Sequence, residues 1–212
     1  MTTKHKHPIT FTDHARQFSS SFMNALGIAL HRIGVHPDLV TIVGLLLTLG
    51  GAVVVGMGHI QWGGLILALA LPFDALDGAV ARAMGREDRF GEMLDSSLDR
   101  YADGFIFGGL SYYFAVQDQH MWMLCALAAL MGSFMVSYTR ARGEGVNVVV
   151  KIGLFSRLER VIVILIMLLW PTAFGLPILE VGVLLLAIGT NFTGLQRLWY
   201  VYRALQRNQE EG

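Results

Sequence analysis

The chain has 212 residues, 54% of them hydrophobic and 15% charged, and its 16 basic and 16 acidic residues cancel. This composition is too apolar for an ordinary soluble domain, although the length allows one domain or two. The single cysteine, Cys125, lies in an apolar stretch, so no disulfide is expected, and no nucleic-acid partner is expected either.

In chain order, the N-terminus opens with Lys4-His5-Lys6-His7 and has no apolar core before residue 22, so it is not expected to be a cleavable signal peptide. Residues 10–33 read as an amphipathic helix lying on the membrane surface, with Phe11, Phe18, Phe22, Leu26 and Leu30 towards lipid. Apolar stretches of helical length follow at 38–58, 61–83, 90–116, 120–142, 157–174 and 177–203. About 20 residues cross a bilayer, so the expectation is an all-α integral membrane protein with six spans and no strands. Residues 1–36 then form the cytoplasmic N-terminus with its interfacial helix, 37–205 the membrane domain, and 206–212 a cytoplasmic tail. Trp62, Trp122, Trp170 and Trp199, near span ends, read as interfacial anchors.

Basic residues set the orientation. Lys4, Lys6, Arg16 and Arg32 precede the first span; Arg82, Arg86, Arg89 and Arg100 surround the second connection. Arg140, Arg142, Lys151, Arg157 and Arg160 surround the fourth, and Arg197, Arg203 and Arg207 close the chain. The connections near 58–61, 117–120 and 171–177 have no Lys or Arg. Six spans put every basic residue on one side, which the positive-inside rule makes cytoplasmic, in the cell (plasma) membrane with both termini inside.

The informative stretch starts at Asp74 and runs D-A-L-D-G-A-V-A-R, then reaches G-E-M-L-D-S-S-L-D at Gly91–Asp99. A charge at mid-bilayer costs roughly 2.5–3.5 kcal/mol on insertion scales, so acids there usually have a function. Asp74 and Asp77 share one helix face at i,i+3, and Asp95 and Asp99 share another at i,i+4. From helix rise, Asp74 and Asp99 lie about 15 Å inside their cytoplasmic ends, and Asp77 and Asp95 about 10 Å. Carboxylates at matched depth repel unless cations neutralise them, and all-oxygen donors suit Mg²⁺, Mn²⁺ or Ca²⁺. Two metals about 3.5–4 Å apart would clamp a phosphoryl group. A divalent-cation transporter is the other reading of intramembrane acids, but these cluster towards one face and the outer half has no comparable polar residue. Gly78 and Gly91 permit close approach of a ligand or merely of another helix, and Arg82 stands one turn past Gly78 where a phosphate could be met.

The spacing D-x2-D-G-x2-A-R-x8-G-x3-D-x3-D, filled by Asp74, Asp77, Gly78, Ala81, Arg82, Gly91, Asp95 and Asp99, resembles the signature of the CDP-alcohol phosphotransferases, membrane enzymes of phospholipid synthesis. The resemblance covers most of the chain. It implies attack by an alcohol hydroxyl on the β-phosphorus of a CDP-linked lipid, with CMP leaving. It also implies two ions, Mg²⁺ or Mn²⁺, on Asp74, Asp77, Asp95 and Asp99, with Asp99 as general base. The CDP-lipid would meet Asp38, Thr41, Gly78, Ala81, Arg82, Asp88 and Gly91, and the enzyme would be a homodimer.

Several segments are most similar to the phosphatidylinositol-phosphate synthase branch: His36–Thr41, Ser137–Glu144, Arg157–Arg160 and Gln196-Arg197. That resemblance implies a phosphorylated polyol, inositol phosphate, held by Ser137, Arg140, Arg157 and Arg197. Two positions depart from the branch, Arg140 where it commonly has lysine and Asp88 where it has a small hydroxyl residue. Glycerol 3-phosphate is therefore the alternative acceptor. Arg142 and Arg160 read equally as substrate contacts or as charges fixing topology, and Asp103 as support for Asp99 or part of a buried network.

Overall fold

The structure, a computed structural model, describes residues 23–85, 89–173 and 175–210. Among these, all regular structure is helical: α1 (23–32), α2 (Pro37–Gly56), α3 (Ile60–Ala83), α4 (Arg89–Val116), α5 (His120–Glu144), α6 (Arg157–Leu169) and α7 (Ile178–Glu210). Most of the expected amphipathic N-terminal helix, residues 10–22, lies outside the described residues.

Four helices are long and apolar enough to cross a membrane: α2, α3, α5 and α7 over Ile178–Arg207. The other two expected spans fall short for different reasons. In α4 the half before Gly104 carries Glu92, Asp95, Asp99, Arg100 and Asp103. Helix α6 has only 13 residues, about 20 Å against a hydrocarbon core of about 30 Å. It stops at Leu169 where the sequence pattern ran on to 174. Pro171 disfavours helical geometry at Trp170, and a tight turn with an isolated bridge from Ala173 to Leu176 follows.

The described residues form two compact units. The smaller contains the chain up to Gly44 and Leu71–Asp95. Val40, Leu76 and Val80 are buried there, with Leu30, Val35 and Phe73 packed on them. Helix α1 crosses α3 closely: a Cβ on Gly27 would lie 2.7 Å from the carbonyl carbon of Ala79. Pro72, inside α3, removes one helical hydrogen bond two residues before Asp74.

The larger unit contains Leu45–Ala70 and the chain from Ser96 onward. Its core is built from Phe107, Leu110 and Phe114 of α4, Ile164, Met167 and Leu168 of α6, and Val183 and Leu186 of α7. Lipid offers no hydrophobic force to press helices together, so small residues and polar contacts do this instead. A Cβ on Gly132 of α5 would fall 2.1 Å from Thr190 Oγ1 of α7. Next to it Asn191 donates to the Ala128 carbonyl at 2.8 Å.

Between α5 and α6 the chain is irregular but fastened to α7. Arg197 donates from Nε to the Ile152 carbonyl at 2.8 Å, and the Phe155 N–H donates to Thr193 Oγ1 at 3.2 Å. Gly153 between them has φ +126°, and a Cβ there would lie 2.5 Å from Thr193 Cγ2. Both its conformation and its closeness to α7 require glycine.

Adjacent glycines of α4 test this packing. A Cβ on Gly109 would sit 2.3 Å from the Ala52 carbonyl oxygen, whereas Gly108 has nothing within 4 Å. Gly109→Ala is expected to destabilise by about 1–3 kcal/mol through overpacking. Gly108→Ala should be neutral or gain up to about 1 kcal/mol in helix propensity. Thermal melts of the two variants in one detergent check the contrast, and equal melting temperatures would contradict the packing.

Candidate active site

The first acidic pair stands on α3 in the smaller unit. The side chain of Asp74, and the whole of Asp88, lie outside the described residues. Asp77, only 7% exposed, is the one buried carboxylate among the described residues. Thr41 of α2 donates to its Oδ2 at 2.7 Å, and the Gly78 N–H donates to Oδ1 at 2.5 Å. The Thr41 hydroxyl also lies 3.2 Å from the Pro37 carbonyl of its own helix. Two donors thus fix the carboxylate's orientation, and fixed orientation is what a hard-cation ligand needs. The sequence placed Thr41 with the CDP-lipid; the structure shows it pinning an acid.

Other residues of the motif gather beside this one. Gly78 lies under the Arg82 guanidinium, since a Cβ there would be 3.3 Å from Nη1. Arg82 Nη2 donates to Asn24 Oδ1 at 3.2 Å. Asn24 was not foreseeable, because nothing in the sequence links α1 to the end of α3. Asp38, near the start of α2, pairs with His36 at 3.2 Å. Ala81, Gly91 and Asp95 are half-buried.

Asp99 belongs to the larger unit. Its Oδ1 lies 2.6 Å from Arg157 Nη2, the first residue of α6, and its Oδ2 lies 3.9 Å from Arg100 Nη1. Arg100 also donates to the Ser96 carbonyl. Four residues on, Asp103 Oδ2 meets Arg160 Nη1 at 3.3 Å. The sequence singled out Asp103 and Arg160 without pairing them, since the register of α4 against α6 is a tertiary fact. Ser156 and Glu159 hydrogen-bond each other at the start of α6, and the Ser156 side chain makes no cap hydrogen bond of its own.

Of the expected acceptor residues, Ser137 is half-buried on α5 and Arg140 is exposed, with Nε 3.1 Å from Glu144 Oε1. Arg197 is instead buried, its Nε on Ile152 and its Nη1 donating to the Val136 carbonyl at 2.8 Å. Its visible work is to hold together α5, α7 and the segment leading into Arg157.

The donor chemistry fits a hard divalent cation. All four motif residues are carboxylates, and a charge as buried as Asp77 on an apolar helix calls for a compensating cation. Among the described residues, which exclude the Asp74 side chain, no three His, Cys, Asp or Glu form a group able to hold a metal.

The chain matches the CDP-alcohol phosphatidyltransferase family over residues 34–194. It is 36% identical over 200 residues to the phosphatidylinositol phosphate synthase of Streptomyces avermitilis, covering 90% of this chain and 82% of that protein. To the protein of that name from Mycobacteroides abscessus it is 35% identical over 187 residues, covering 87% and 85%. The crystal structure of Mycobacterium tuberculosis phosphatidylinositol phosphate synthase with CDP-DAG bound is similar at a TM-score of 0.79 and 34% identity, covering 85% of this chain and 93% of that one. A structure of the same protein with manganese and citrate gives the same TM-score and identity, covering 85% and 88%. The motif at Asp74–Asp99, the apolar helices around it and these likenesses agree: the chain belongs to the CDP-alcohol phosphatidyltransferase family, a multi-pass membrane enzyme that transfers a phosphatidyl group from a CDP-linked lipid to an alcohol.

Proposed function

We propose that the alcohol is inositol phosphate, so that the products are a phosphatidylinositol phosphate and CMP. One contact carries the reading of a phosphorylated acceptor. Arg157, a guanidinium suited to a phosphate, lies 2.6 Å from Asp99, which would take the hydroxyl proton. An acceptor whose phosphate engages Arg157 brings its hydroxyl next to Asp99. The names of the relatives in Streptomyces and Mycobacteroides support the same acceptor.

In the step itself, the acceptor oxygen bonds to the β-phosphorus of the CDP-linked lipid. The bond from that phosphorus to the bridging oxygen breaks, its electron pair leaves with CMP, and the hydroxyl proton passes to Asp99. Asp74, Asp77, Asp95 and Asp99 would hold the divalent cations, Mg²⁺ or Mn²⁺, two per site. When bound, these supply charge neutralisation for the diphosphate and for the transition state. Thr41 and the Gly78 N–H keep the Asp77 carboxylate in one orientation. Arg82, with Asp38, Gly78, Ala81, Asp88 and Gly91, meets the nucleotide-lipid. Ser137, Arg140 and Arg157 meet the acceptor, and Arg197 holds the segment ahead of Arg157. Glycerol 3-phosphate is the second reading, left open by an arginine at 140 where the inositol-phosphate branch commonly has lysine.

We further propose that α4 and α6 cross the membrane with the other four helices, giving six spans, residues 37–205 as the catalytic domain, an interfacial segment within 1–36, and a tail at 206–212. Both termini and the active site face the cytoplasm, and the enzyme works as a homodimer.

Purified enzyme given labelled CDP-diacylglycerol, Mg²⁺ and, side by side, inositol phosphate, glycerol 3-phosphate, serine and free inositol should turn over inositol phosphate fastest. Faster turnover of free inositol or serine would show that no phosphate is recognised. Asp77→Asn, Asp95→Asn and Asp99→Asn should each lower turnover by about a hundredfold or more in folded protein, and chelation of the metal should abolish it. Arg157→Ala removes a charge-assisted contact of about 1.5–3 kcal/mol, seen mainly as a raised KM for the acceptor.

The orientation has its own test. A cysteine at position 59 or 118 should react with an impermeant thiol reagent from outside intact cells, and one at 146 only after permeabilisation. The opposite labelling pattern would invert the topology and move the site to the outer face.

A further inference from the structure

One turn along from the Asp99–Arg157 contact, the same two helices make a second, different one. Asp103 and Arg160 are 18% and 4% exposed at a separation of 3.3 Å, against 21% and 44% for Asp99 and Arg157 at 2.6 Å. Arg160 is the more deeply buried arginine, yet its Nε and Nη1 make no hydrogen bond. A guanidinium held so incompletely is a poor way to stabilise a helix pair, because apolar residues of similar volume commonly do as well or better. What a buried ion pair supplies instead is a single permitted register.

The spacing fits that use. Asp99 and Asp103 are four residues apart, about 6 Å along α4, and Arg157 and Arg160 are three apart, about 4.5 Å along α6. The pairings run 99 to 157 and 103 to 160, so the helices are parallel here and both contacts are made in one alignment. A single contact would leave α6 free to turn about it; two fix rotation and translation together. Arg157 is the first residue of α6 and follows an irregular segment, so its placement depends on what grips it from either side. Before it stand the Arg197–Ile152 and Thr193–Phe155 hydrogen bonds. After it stands Arg160.

We propose that Asp103 and Arg160 are positioning residues: without touching substrate, their ion pair fixes α6 against α4 so that Arg157 is held where the acceptor's phosphate arrives. This rests on the reading of Arg157 as the acceptor's phosphate ligand.

The test uses the full-length enzyme in lipid–detergent micelles, with Arg157→Ala as reference. The double variant Asp103→Asn/Arg160→Gln replaces the ion pair by a neutral pair, and Asp103→Glu keeps the charges but lengthens the contact by one methylene. Melting temperature, kcat and the KM of each substrate are measured for all. Both variants are expected to raise the acceptor KM about ten- to a hundredfold, as misplacement of a binding group does, while the KM for the CDP-lipid stays within about twofold. Asp103→Glu decides the matter if the neutral pair fails to fold. An unchanged acceptor KM, or an equal rise in both KM values, would overturn the proposal by showing that the pair serves stability alone. If Arg157→Ala itself leaves the acceptor KM unchanged, the reading of Arg157 fails first, and that failure is visible separately.

Discussion

Charge on helices surrounded by lipid must be neutralised where it stands, and much of this chain's architecture follows from that constraint. Helix α4 joins an acidic first half to an apolar second half whose Phe107, Leu110 and Phe114 form the core. A helix of that composition is a poor candidate for insertion alone. Its acids at 99 and 103 become tolerable because α6 presents Arg157 and Arg160 at matching heights. Helix α6 begins at 157, and the irregular segment before it is pinned to α7 by the Arg197 and Thr193 hydrogen bonds and by the close approach at Gly153.

In the smaller unit, two neutral donors orient the buried acid. Asp77 is buried as deeply as its apolar neighbour Leu76, and takes a hydroxyl from Thr41 and an N–H from Gly78. Neutral donors orient a carboxylate without cancelling its charge, which leaves the charge available to a cation. An arginine in the place of Thr41 would stabilise the acid more strongly and spoil it as a ligand. Asp99 differs in meeting a guanidinium, that of Arg157, directly.

Helix boundaries were legible in the sequence because turn signals punctuate every long apolar stretch. The predicted starts at 120 and 157 coincide with those of α5 and α6, and the end predicted at 83 with that of α3. Where structure and hydropathy part, a local rule prevails: Trp170 precedes Pro171, so α6 ends at Leu169 although the apolar stretch runs on. The acidic motif was legible because its spacing is unusual for lipid. Partners of those acids were not. Thr41 and Asp77 are thirty-six residues apart, and Arg157 and Asp99 lie on helices separated by all of α5, so only the packing reveals them. Nor does the sequence reveal what Arg197 touches: its guanidinium donates to the carbonyls of Ile152 and Val136, both more than forty residues away in the chain.

The two rungs between α4 and α6 also differ in how readily they can exchange partners. At about 4 Å two unit charges interact by about 1 kcal/mol in water and about 4 kcal/mol at the effective dielectric of a protein surface, and more strongly as water is excluded. Arg157, almost half exposed, can trade part of its contact with Asp99 for an incoming phosphate at modest cost, because water and the new anion both compensate it. Arg160, only 4% exposed, has no such compensation available, so leaving Asp103 would strand its buried charge. On the proposed reading of Arg157, the pair that opens to admit substrate lies at the wet end of the ladder, and the pair that stays closed lies deeper. The order found here, with the exposed rung at the head of α6 and the buried one a turn deeper, is the only one of the two that allows both.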